Sequence, residues 1–63
     1  MEYTLVGVDG NAYSIMGYVS GCMRESGKTK EEIKAYTDKA TSGNYDNLLR
    51  VSALMIDELN MEK

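Results

Sequence analysis

The sequence predicts a mainly α fold, with one short N-terminal β-strand over residues 3–8 followed by a three-helix bundle in a single domain, residues 1–63. Three observations predict it. Apolar residues recur at helical spacing in three separate windows. Each window opens on a capping residue and the first two close on glycine. The one stretch outside them is rich in β-branched and aromatic residues.

Tyr3 to Val8 reads YTLVGV, and five of the six are β-branched, aromatic or Leu, the composition of a strand. Asp9-Gly10 follows as a turn signal, and Asn11 is placed to cap a helix by accepting a first-turn N–H. The first helix, about 11–26, carries Ala12, Ile15, Met16, Val19, Cys22 and Met23 on one stripe and stops near Gly27, which can take positive φ. At 100° per residue, Ser14, Gly17 and Gly21 fall opposite that stripe, either as a solvent face or as a flat surface for close approach of another backbone. The second helix, about 29–42, opens on Thr29-Lys30-Glu31-Glu32, a capping box in which the Thr hydroxyl and the Glu carboxylate satisfy each other's backbone N–H. Its stripe is Ile33, Tyr36, Thr37 and Ala40, and Gly43 is expected to end it. The third helix, about 45–60, is capped by Asn44 or Asp46. Its stripe is Tyr45, Leu48, Leu49, Ser52, Met55, Ile56 and Leu59, with Val51 and Leu54 widening the arc, and residues 60–63 are expected to fray.

Composition then narrows the function. A core this small supplies only about 3–5 kcal/mol, and chains of this length usually add disulfides, a metal or self-association. One Cys and no His exclude an internal disulfide and a zinc cage, so no metal and no cofactor are expected. The lone extended segment has no second strand to pair with, and unpaired main-chain groups are costly to bury. Both the segment and the broad arc of the third helix therefore predict a homodimer or higher homo-oligomer, with Tyr3, Leu5, Val6, Gly17, Gly21, Val51 and Leu54 at the interface.

Seven Lys+Arg against ten Asp+Glu give a net charge of −3 and form no basic patch, which argues against direct nucleic-acid binding. No apolar run of 18 predicts no membrane span, and the absence of an export signal with a lone thiol predicts the cytoplasm. Gly27-Lys28-Thr29 resembles the end of a phosphate-binding loop, but the spacing places Cys22 where that loop needs glycine. Asp9-Gly10-Asn11 fails as a calcium loop, because its sixth and twelfth positions are Ser14 and Ser20. With no His, no carboxylate pair and no thiol dyad at a meaningful spacing, no enzyme is expected and no catalytic residue is named.

Five Tyr with no Phe or Trp suit a boundary where a ring is buried and its hydroxyl wet, either at the rim of the core or on a partner surface. Five Met act as core filling, or as adaptable contact surface. The starts of the first and third helices, Asp9-Gly10-Asn11 and Ser42-Gly43-Asn44-Tyr45-Asp46, are either ordinarily capped or, if they share one end of the bundle, able to hold an anionic ligand such as a nucleotide.

Two segments carry a resemblance: Val8-Asp9-Gly10-Asn11-Ala12-Tyr13, and Ala40-Thr41-Ser42-Gly43-Asn44-Tyr45-Asp46-Asn47-Leu48-Leu49. Together they resemble a family of short phage and mobile-element proteins with a DGNA(F/Y) segment and an SG-x-YD-x-LL segment. The resemblance implies an accessory protein of the host-cell cytoplasm that brings no established activity. By analogy with small phage proteins, the expected function is binding and inhibiting a host protein, such as a defence component, through Tyr13, Tyr18, Asp9 and Glu25. The alternative is an oligomeric sequestrant of a small anionic ligand.

Overall fold

The structure is a computed structural model and describes residues 2–62. Three helices form: α1, Ala12–Glu25; α2, Lys30–Ala40; and α3, Tyr45–Met61. Each packs against the other two. The chain runs up, down and up, so α1 and α3 point the same way and their starts share one end.

Local chemistry sets the boundaries. Asn11 Oδ1 accepts the Tyr13 N–H at 2.8 Å, and Asn44 Oδ1 accepts the Asn47 N–H at 3.0 Å. The capping box at Thr29 forms: Thr29 Oγ1 accepts the Glu32 N–H and Glu32 Oε1 accepts the Thr29 N–H, at 3.2 and 3.1 Å. α1 stops at Gly27, whose φ of 90° lets Lys28 N–H reach back to the Met23 carbonyl at 2.9 Å and Gly27 N–H to Arg24 at 3.1 Å. This is the paired closure that a left-handed residue after a helix allows.

Gly43 has a different reason from the one expected. Its φ is not positive, and α2 has already ended at Ala40. A Cβ there would lie 3.0 Å from Asn47 Cβ. Its absence makes room for Asn47, whose amide donates to the Lys39 carbonyl at 3.0 Å and so satisfies the end of α2 from α3.

The core is filled by Ile15, Val19, Cys22 and Met23 of α1, Tyr36 and Ala40 of α2, and Leu48, Ile56 and Leu59 of α3. Within it Tyr36 and Ser52 are buried together, their hydroxyls 2.6 Å apart. Tyr36 therefore does not keep a wet hydroxyl at the core rim; Ser52 gives it a dry partner.

The strand at residues 3–8 is not there. Among the described residues there is no strand, and the segment lies as an extended strap across α1 and α3. Tyr3 N–H donates to Asn60 Oδ1 at 2.8 Å, and Asn60 Nδ2 donates to the Tyr3 carbonyl at 2.9 Å. One side-chain amide thus supplies the donor and acceptor that a neighbouring strand would. Thr4 N–H donates to the Tyr18 hydroxyl, Val6 N–H to Thr4 Oγ1, and Val8 N–H to the Leu5 carbonyl across a turn with Gly7 at φ 85°. The pairing between subunits expected for this segment loses its physical reason. Tyr3 and Leu5 turn onto their own core, and only Val6 points outward at the turn.

Lys28 ties the far end of the bundle together, with Nζ 2.8 Å from the Glu62 carboxylate and 3.9 Å from Glu32. The hydrogen bond that Lys28 donates to Glu62 raises the lysine's pKa, while the Thr29 N–H and hydroxyl lower that of Glu32. Burial raises the Tyr36 phenol. The signs define the stability profile. Glu32 stabilises above its unfolded value near 4.3, and that contribution is lost as pH falls through the lower folded value. Tyr36 and Lys28 stabilise below about 10, and theirs is lost as pH rises through the higher folded values. With no His to titrate, urea midpoints should stay level from about pH 6 to 8 and fall on both sides. A sigmoidal loss centred near pH 6.5 would contradict this.

Candidate site at the common end of α1 and α3

The turn before α1 and the first turn of α3 meet through Tyr45, whose hydroxyl donates to the Gly10 carbonyl. Asp9 Oδ1 accepts the Asn11 N–H at 3.3 Å, so the turn leading into α1 is itself braced. Between the two helix starts lies a shallow groove of about 310 Å³. Ala12, Tyr13 and Met16 form one wall, Tyr45 and Leu48 the other, and Ala40, Thr41, Gly43 and Asn44 close it from the α2–α3 turn.

Two aromatic rings mark its mouth. Tyr13 is 82% exposed and Tyr45 45%. An exposed ring of this size beside half-buried methionine is more contact surface than a short solvated helix needs. Asp9 and Asp46 are exposed at the same helix starts, and no Lys or Arg lines the groove.

The sequence-predicted residues separate under this geometry. Asp9, Gly10, Asn11, Gly43, Asn44, Tyr45 and Asp46 gather at this end, and Tyr13 joins them. Ser42 sits in the preceding turn, its hydroxyl donating to the Lys39 carbonyl at 2.7 Å. Glu25 lies twelve residues beyond Tyr13, about 18 Å away along α1. Tyr18 is half-buried and its hydroxyl holds the strap at Thr4, so its ring serves the fold. Gly17 and Gly21 face open space. Nothing from the chain itself approaches them.

In comparisons with protein-family models, curated proteins and solved structures, nothing matches the chain. The functional reading rests on the site itself.

Two features of that site bear on chemistry. The cap side chains occupy the Tyr13 and Asn47 N–H groups, and the nearby carboxylates repel an anion. The expectation that both helix starts stand open for a nucleotide therefore loses its electrostatic basis. What remains is an apolar floor, two tyrosine rings and exposed carboxylates at both helix starts, a combination suited to protein recognition. Sequence reasoning did not pair Tyr13 with Tyr45. The signal was present: three helices joined by short turns place the first and third side by side and parallel. No described helix is long and apolar enough to cross a membrane.

Proposed function

We propose that the protein is a non-enzymatic binding module that docks a basic surface of a host protein and blocks it. The single observation that carries this reading is the pair of exposed rings, Tyr13 and Tyr45, over an apolar groove whose two bordering helix starts carry the exposed Asp9 and Asp46. Tyrosine supplies large contact area with few rotors to freeze, and the carboxylates select a partner of opposite charge. The net charge of −3 extends that preference over the whole surface. The resemblance of residues 8–13 and 40–49 to phage and mobile-element proteins supports a host-directed target. Homo-oligomer formation and the cytoplasm belong to the same proposal.

The test is affinity capture from host lysate with three baits: the native chain, Tyr13→Ser and Asp9→Asn. Tyr13→Ser removes an 82% exposed ring, so the fold is unaffected. A protein retained by the native chain, lost with Tyr13→Ser and weakened by Asp9→Asn or by salt supports the reading. Capture that ignores Tyr13, or no capture above background, removes it.

A further inference from the structure

The outer face of α3 carries a second apolar surface, on the opposite flank of the bundle from the strap. Leu54 is 62% exposed at its centre, with Val51 and Met55 half-buried beside it. These three border an open groove of about 410 Å³ between α2 and α3. Leu54 is large, apolar and near the middle of a 17-residue helix, and the described residues leave most of it uncovered.

Charge placement says what could. Arg50 lies four residues before Leu54 and Glu58 four residues after, so both share its face, each one turn or about 6 Å away along the axis. Both are exposed. Among the described residues Glu58 forms no ion pair, its charge being felt at Lys28 without a contact, and Arg50 donates to the Asn47 side-chain Oδ1 at 3.0 Å. In a two-fold pair of antiparallel helices centred on Leu54, the residue n positions before the centre lies over the residue n positions after it in the other copy. Arg50 then lies over Glu58 of the partner subunit, and Glu58 over Arg50 of the partner subunit. A parallel alignment would set Arg50 on Arg50 and Glu58 on Glu58, which like-charge repulsion disfavours.

We infer that a second copy of this chain docks antiparallel on α3, with Leu54 against Leu54 of the partner subunit and two reciprocal Arg50–Glu58 pairs fixing the register. One residue thus supplies the apolar centre, and one pair of opposite charges, used twice, supplies the orientation, as an isologous contact requires. A seam of one helix face is smaller than the about 1,600 Å² of a standard stable complex, so the dimer exchanges with monomer as concentration changes. It gives the proposed homo-oligomer its interface on a face other than the Tyr13–Tyr45 groove, so its test and that of host binding fail independently.

The experiment is sedimentation equilibrium over a wide concentration series. The native chain should rise from 7.0 kDa towards twice that mass with concentration. Leu54→Asp should stay at monomer mass, with helical circular dichroism unchanged because the site is on the surface. Arg50→Glu alone and Glu58→Arg alone should each weaken dimerisation about tenfold or more, and the two together should restore it, since the reciprocal pairs are then remade in reverse. Tyr13→Ser should dimerise like the native chain. A constant 7.0 kDa mass, a dimer that survives Leu54→Asp, or a double charge reversal no better than the single ones overturns the inference.

Discussion

Leu59→Ala is expected to leave the chain without a cooperative fold at room temperature. Leu59 is fully buried and belongs to the core that all three helices share. Truncating a buried Leu removes its transfer energy and leaves a cavity, together about 2–5 kcal/mol. A chain of this length has about 3–5 kcal/mol in total, with no disulfide to fall back on. Far-UV circular dichroism against temperature reads the outcome directly. The native chain gives a sigmoidal melt; the variant should give a shallow, non-cooperative slope. A sharp transition within a few degrees of the native one would mean that the core is larger, or more forgiving, than these residues make it.

The second large effect comes from the dry hydroxyl pair. Ser52→Ala strands the Tyr36 hydroxyl in the core and should cost about 1–3 kcal/mol, the penalty for an unsatisfied buried polar group. Tyr36→Phe should cost less, because a helical serine left alone can turn its hydroxyl to the carbonyl four residues back. The double variant should be more stable than the sum of the two single losses predicts, by about 1 kcal/mol, since neither partner is then left unpaired. Urea midpoints of the four proteins complete the cycle. Additive losses would show that the 2.6 Å contact is not an energetic unit.

These two residues also show what could be read in advance. The three helices were legible because each is written locally: an apolar stripe at helical spacing, a cap at its start and, for α1, a glycine just past its end. The capping box at Thr29 and the left-handed stop at Gly27 lie within a few residues of the groups they satisfy. Ser52 was visible as the one polar position in the α3 stripe, but its partner on α2 lies 16 residues away, where periodicity carries no information. The strap failed for the same reason on a larger scale. Its composition suits extended backbone, yet residues 5–8 close a turn and residues 3 and 4 bond to side chains. The group that completes it is a side-chain amide 57 residues on, in a turn expected to fray. Strand composition does not name what the backbone bonds to. At the candidate site, Tyr13 and Asp9 were identified from exposure and charge, whereas Tyr18 could not be told apart from Tyr13 without knowing that Thr4 reaches its hydroxyl.

The Asn60 clip makes the fold's order of assembly depend on distance along the chain. Tyr3 emerges from the ribosome well before the residue that holds it, so nascent α1 and α2 exist for a time with that flank bare. Closing so long a loop is entropically slow compared with forming any of the helical turns. The clip that seats residues 3–8 thus waits on the end of α3, and a chain cut short of Asn60 would lack the amide that holds Tyr3, with Leu5 and Val8 less firmly covered.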